Sequence, residues 1–234
     1  MKTIGLVGGT GWISTVEYYR IINRAVNNAL GGIQFARCML YSLNYGDINA
    51  LNQQNDQEGI YSLLLDAIKK LIKCDSDCIV LCANTLHMHA DRLEKQINVP
   101  LIHIATATAT EIKKQNLKKI GLLGTKYTME QDFYKDKLRN ANIDVVIPDA
   151  NDREFIHSVI MDELLKEFFN HESKERFLQI IDTLASQGAE GIILGCTEIP
   201  LLITADDTPL PLFNTTVIHS LAAVEFALAD NLTS

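Results

Sequence analysis

Short runs rich in Val, Ile and Leu alternate with amphipathic stretches along almost the whole chain. Apolar runs of four to eight residues bounded by turn residues read as buried strands, and apolar positions three and four apart read as helices. The pattern predicts strands over 3–8, 35–41, 78–82, 100–104, 118–124, 143–147, 191–195 and 210–213. Within 58–73, Leu64, Leu65, Ile68, Leu71 and Ile72 recur at helical spacing, and 85–97, 128–141, 152–169, 174–187 and 215–229 read the same way. The first helix has a start at Ser14-Thr15-Val16-Glu17, which fits a capping box, and a stop at Gly31-Gly32. Strands alternating with helices in this way form parallel sheets joined by crossover helices, so the fold class is α/β.

The pattern repeats. Ile4-Gly5-Leu6-Val7-Gly8 followed by Tyr18 recurs as Ile120-Gly121-Leu122-Leu123-Gly124 followed by Tyr134, a shift of 116 from 4 to 120 and from 18 to 134. The strand leading to Cys82 recurs as the strand leading to Cys196, a shift of 114. Two near-equal shifts predict two similar lobes, each a mostly parallel sheet flanked by helices and related by pseudo-symmetry.

Composition narrows the setting. The 234 residues are 47% hydrophobic, enough for a large core, and 29 acidic against 21 basic residues leave a formal charge of −8. No basic run is present of the kind that tracks a phosphate backbone, which argues against a nucleic-acid partner. No apolar stretch approaches the roughly 20 residues that cross a bilayer, and the opening residues read as a first strand and not as an export signal. The expected setting is cytoplasmic, without membrane contact.

Five cysteines in such a chain do not suggest a disulfide framework. Cys74, Cys78 and Cys82 are evenly spaced, but extended backbone sets Cys78 and Cys82 more than about 10 Å apart, too far to share one metal ion. No metal is expected. Cys82 and Cys196 instead fall where a strand ends and a helix begins, the end of a parallel strand at which ligands bind in open α/β sheets. A thiol's ordinary pKa of about 8.5 lets acid and base forms coexist near working pH. Two such groups in matched positions suit a reaction that removes a proton from one face of a carbon and returns one to the other. Asn84, Thr85 and Thr197 are helix-start residues that could hold a substrate carboxylate or simply cap. His87, one turn beyond Cys82, could orient the thiol or support the cap.

Four segments carry a resemblance: Gly8-Gly9-Thr10-Gly11-Trp12-Ile13-Ser14-Thr15 with Tyr18-Tyr19, Cys82-Ala83-Asn84-Thr85-Leu86-His87, Gly124-Thr125-Lys126-Tyr127-Thr128-Met129, and Gly195-Cys196-Thr197-Glu198-Ile199-Pro200. Together they resemble the aspartate racemase branch of the aspartate/glutamate racemase family, over nearly the whole chain. The resemblance implies two α/β lobes with the active site between them, no pyridoxal phosphate or other cofactor, an amino-acid substrate and a homodimer. It implies a catalytic pair, Cys82 and Cys196, with Asn84, Thr85 and Thr197 near the α-carboxylate and Thr10, Thr125 and Thr128 lining the cleft. It further implies that the last segment returns to the first lobe, giving 1–100 plus 210–234 and 101–209.

The chain departs from the family pattern in two places. Thr10-Gly11 stands where Met-Ser is common, and Asn44-Tyr45-Gly46-Asp47-Ile48-Asn49 has no basic residue for an acidic side chain. Lys166 and Lys126 are the replacement candidates. Aspartate is the first substrate expected, with glutamate or a broad set of amino acids as the alternative, and a two-lobed binding protein without catalysis as a rival. A nucleotide-dependent oxidoreductase is a weaker rival, because Ser14 replaces the third glycine of its loop and Leu40-Tyr41-Ser42 ends without an acidic ribose partner.

Overall fold

A computed structural model describes residues 1–230. The chain divides into two compact units, Met1–His103 together with the chain from His219 onward, and Ile104–Ile218. The first contains β1 (Ile4–Gly8), α1 (Trp12–Leu30), β2 (Cys38–Ser42), α2 (Tyr45–Gln53), α3 (Gln57–Lys73), β3 (Cys78–Leu81), a 3-10 turn at Thr85–His89 and α4 (Ala90–Glu94). The second contains α5 (Ile104–Lys114), β4 (Lys119–Gly124), α6 (Lys126–Glu130), α7 (Asp132–Arg139), β5 (Asp144–Val146) and α8 (Ala150–Asp162). It continues through a 3-10 turn at Leu164–Lys166, α9 (His171–Ser186), β6 (Ile192–Gly195), α10 (Ile199–Leu202), a 3-10 turn at Ala205–Asp207 and β7 (Leu212–Asn214). The final helix, α11 (Thr215–Leu228), starts in the second unit and belongs to the first from His219.

Both sheets are parallel and share one strand order. The first runs β2-β1-β3 and the second β5-β4-β6-β7, so β1, β2 and β3 correspond to β4, β5 and β6. Register follows the repeat, with Val7 opposite Leu81 in one sheet and Leu123 opposite Leu194 in the other.

Strand side chains alternate between faces, and helices cover both, as a parallel sheet requires. In the first unit Val7, Ile79 and Leu81 pack with Ile60, Leu64 and Ile68 of α3. Ile4, Leu6 and Val80 on the other face pack with Tyr18, Ile22 and Val26 of α1 and with Ala223, Val224 and Ala227 of α11. The second unit packs Ile120, Leu122 and Ile193 with Ile156, Phe177, Ile181 and Leu184. Each such large side chain contributes about 1.5–3 kcal/mol on burial.

The two repeated tyrosines are both fully buried. The Tyr18 hydroxyl lies 2.8 Å from Nδ1 of His219 on α11, and the Tyr134 hydroxyl donates to Thr108 Oγ1 on α5 at 3.2 Å. In each unit the tyrosine following the first strand is therefore bonded to a helix that the sequence supplies from far away.

Several expectations need correction. The strand over 100–104 is only an isolated bridge, Ile79 to Leu101, in which Pro100 O accepts from Ile79 N and Ile79 O accepts from Ile102 N, each at 2.9 Å. It stops there because α5 begins at Ile104. Its place beside β3 is the one that β7 takes beside β6.

The capping box is not formed: α1 starts earlier, behind Gly11, without a side-chain cap, and Glu17 pairs with Arg20. Gly31 does end that helix, at φ 73°. Helices α2 and α5 were not predicted. The first is short, and the Ala/Thr alternation of the second carries little apolar periodicity.

The return to the first unit comes at His219 and not near 210, because Leu212–Asn214 pairs with β6. The last four residues of the expected 210–234 segment, 231–234, lie outside the described residues. Among the described residues no helix is long and apolar enough to cross a membrane.

Candidate active site

In the first unit, the ends of two neighbouring parallel strands, β1 and β3, bring the sequence-predicted residues to the same edge of the sheet. β1 runs into Gly9 at φ 89°, where a Cβ would lie 2.0 Å from Leu43 O, so only glycine permits this turn. Gly9 N donates to Thr15 Oγ1 at 2.9 Å, and that hydroxyl donates in turn to Gly11 O at 3.2 Å, which pins the loop carrying Thr10. The Thr10 hydroxyl is buried and has no hydrogen-bond partner within the protein.

Cys82 directly follows β3, its N–H donating to Val7 O at 2.9 Å, and it is fully buried. Burial pushes its thiol well above the ordinary range, and Cys38 adds to the shift. Asn84 is buried and helical, and its side chain does not cap the turn that follows. Thr85 opens that turn. His87 faces the Ala83 carbonyl through Nδ1 at 2.9 Å. A carbonyl only accepts, so Nδ1 carries the proton. The His87 ring also lies against those of His103, tilted, and His219, edge-on, with centroids 4.8 and 5.3 Å away.

In the second unit, Cys196 directly follows β6 and is buried. Its Sγ donates to Glu198 Oε2 at 3.0 Å, and the Thr197 hydroxyl donates to the same oxygen at 2.7 Å. Burial, then the nearby Glu198 carboxyl, raises the Cys196 thiol well above its ordinary value. Glu198 is buried at 3% exposure. It stands in the motif as a residue without an assigned role, and its signal was the spacing: two residues past Cys196, where Asn84 stands two past Cys82.

Thr125 caps α6, accepting from Thr128 N at 3.3 Å, and its hydroxyl lies 3.1 Å from that of the fully buried Thr128. Gly124 and Gly195 permit this approach: a Cβ on Gly124 would meet Gly195 O at 2.9 Å, and one on Gly195 would meet Leu123 O at 2.7 Å. Thr125, Thr128, Thr197 and Cys196 thus gather at the ends of β4 and β6.

The lysines are less committed. Lys166 lies in the Leu164–Lys166 turn, which packs against α10, the segment after Cys196. Its side chain is 65% exposed and 3.5 Å from Asp162. Lys126 is held by Glu154 at 2.5 Å. The other cysteines are free, and burial pushes Cys38 to about 11 and Cys78 to about 12, values that leave both inert near neutral pH. Among the described residues no cluster of His, Cys, Asp or Glu could hold a metal ion.

Comparison with known proteins gives the family. The family profile described as Asp/Glu/Hydantoin racemase matches residues 7–224. A crystal structure from Yersinia pestis, ascribed to an Asp/Glu racemase, shares 44% identity at a TM-score of 0.92, covering 97% of this chain and 100% of that one. An aspartate racemase homologue from Pyrococcus horikoshii shares 33% identity at a TM-score of 0.85, over 97% and 99% of the two chains. The broad-specificity amino-acid racemase RacX of Bacillus subtilis is 24% identical over 97% of this chain and 98% of its own. With nearly its whole length matched, and both cysteine motifs inside the matched span, the chain belongs to the Asp/Glu/hydantoin racemase family.

Proposed function

We propose that this protein is a cofactor-independent amino-acid racemase in which Cys82 and Cys196 are the two acid/base groups. One observation carries the reading: each unit ends its third strand in a buried cysteine, β3 in Cys82 and β6 in Cys196, within sheets of the same order. Racemisation breaks a Cα–H bond on one face and makes one on the other. A thiolate takes the proton, leaving a carbanion conjugated with the carboxylate, and the opposite thiol donates its own proton to Cα. The product leaves with the two cysteines in exchanged protonation states.

Burial disfavours a lone thiolate, so the base form depends on the substrate's own ammonium group as a partner charge. Asn84, Thr85 and Thr197 follow the cysteines and supply donors for the α-carboxylate, and Thr10, Thr125 and Thr128 line the site. Glu198 accepts the Cys196 thiol proton as a hydrogen bond and favours that cysteine as the acid at rest.

For the substrate, aspartate comes first, with Lys166 as the group facing its side-chain carboxylate. Glutamate or a broader set is the alternative, which the likeness to a broad-specificity racemase supports.

The test incubates the enzyme, without added cofactor, with single amino acids in heavy water, and follows deuterium at Cα by mass spectrometry and enantiomer ratio by chiral chromatography. Interconversion of at least one pair is expected, and it should fall by about 10³-fold or more in Cys82→Ser and Cys196→Ser. Full activity in either variant would remove the two-base assignment. Binding without exchange for every amino acid tried would favour the non-catalytic reading.

A further inference from the structure

Three buried histidines, far apart in sequence, meet at the turn that follows Cys82. His87 belongs to that turn, His103 is the residue before α5, and His219 lies on α11. His103 and His219 also mark where the chain leaves the first unit and where it returns. The His87 ring is in contact with both, its plane at 58° to His103 and 66° to His219. Ring pairs at such separations and tilts pack favourably and hold each other in place.

The backbone on either side of this cluster is tied to the strand that ends in Cys82. Ile102 N donates to Ile79 O of β3 at 2.9 Å, and Ile102 O is held by His219 Nε2 at 2.6 Å. The cysteine itself is gripped twice. Its own N–H is bonded to Val7 O of β1, and the next peptide is held through the Ala83 carbonyl by His87 Nδ1. The second grip lies past the end of β3 at Leu81, so the direction in which the chain carries Cys82 onward depends on where the His87 ring stands. A buried ring with filled surroundings has no room to turn, and one with a cavity beside it does.

We infer that His103 is a positioning residue for Cys82: together with His219 it fixes the His87 ring, and that ring fixes the peptide after the cysteine. The inference rests on the reading of Cys82 as one of the two acid/base groups. Because His103 acts through His87, its loss misplaces a reacting group and leaves the contacts that bind substrate intact. Turnover then falls and KM stays.

The test compares three variants of the full chain. His103→Ala opens a space beside His87, His103→Phe restores a ring there, and Ile68→Ala opens a cavity among the α3 side chains of the same unit. In His103→Ala, kcat should fall about ten-fold with KM changed by less than about two-fold. In spectra of nitrogen-15 histidine-labelled protein, the His87 Nδ1 proton should exchange with solvent about ten-fold faster than in wild type, since its hydrogen bond opens locally more often. His103→Phe should recover most of both losses. Ile68→Ala should lower Tm and leave kcat and that exchange rate as they are.

Unchanged kcat and exchange in His103→Ala overturn the inference, and so does an equal loss of kcat in Ile68→Ala at a matched fall in Tm. If His103→Ala does not fold, His103→Leu, which fills the space without a flat ring, takes its place with the same expected losses. A wild type that racemises no amino acid removes the acid/base reading of Cys82, and the hold of His103 on His87 is then judged by proton exchange alone.

Discussion

Tyr18 and His219 lie 201 positions apart in the chain, yet the tyrosine hydroxyl is 2.8 Å from the histidine Nδ1, with both side chains fully buried. His219 Nε2 is 2.6 Å from the Ile102 carbonyl. That carbonyl can only accept, so Nε2 carries the proton, Nδ1 accepts from tyrosine, and the ring is neutral. The bond ties α1 to α11, the helix that reaches the first unit at its end.

A pH dependence of stability follows. Burial, with His87 adding to it, lowers the His219 pKa from 6.5 to about 3. In the unfolded chain the ring gains a proton below about 6.5, and in the folded chain it does not, so stability is full above 6.5 and falls as pH drops toward 3. His219→Asn should flatten that slope in urea unfolding curves taken across the window. Tyr18→Phe, which leaves Nδ1 without its donor, should cost about 1–3 kcal/mol at neutral pH. An equal slope in wild type and His219→Asn would show that other groups set it.

Glu198 predicts a shift in thiol reactivity. The Cys196 thiol is raised by burial and by the carboxyl 3.0 Å away, so its thiolate forms only as pH rises beyond the ordinary thiol range. Glu198→Gln removes the carboxyl contribution and should move the alkylation profile of Cys196 by iodoacetamide to lower pH, with Cys82 unmoved. The rising limb of kcat/KM should move the same way. Mass-spectrometric readout of each cysteine peptide makes the comparison, and an unmoved Cys196 profile refutes the coupling.

His87 predicts a positioning effect on Cys82. Its Nδ1–H donates to the carbonyl of Ala83, the residue after the cysteine, at 2.9 Å. His87→Ala should lower kcat by roughly ten- to a hundred-fold, since small misplacements of a reacting group are costly. His87→Asn keeps a donor near the same point and should recover much of that loss, with KM little changed in both. Equal losses in the two variants would mean the ring serves packing alone.

Gly9→Ala tests the β1 loop. At φ 89° with Leu43 O only 2.0 Å from an added Cβ, the loop must move and displace Thr10. Thermal unfolding should show destabilisation of about 2 kcal/mol or more. A stable, active variant would show that the turn is not needed.

Much of this molecule was legible along the chain because strand and helix periods, turn glycines and the internal repeat are local properties. The positions of Cys82 and Cys196 at strand ends could be read from the apolar runs before them and the helix-start residues after them. What could not be read depended on partners distant in sequence or on weak local signals. The 100–104 run has strand composition, but only one bridge forms before α5 takes over. The Ala/Thr alternation of α5 hides a helix whose stability comes from the core it enters.

Sequence by itself determined the α/β alternation, the doubled pattern and the two cysteine motifs, because each is encoded within a dozen residues. Tertiary structure alone decided that β7 joins the second sheet, that α11 changes unit at His219, and that Glu198 turns its carboxyl onto the Cys196 sulfur. Those outcomes rest on which buried groups meet once the sheets are covered. Packing and hydrogen-bond satisfaction settle that over the whole chain, and no local window contains it.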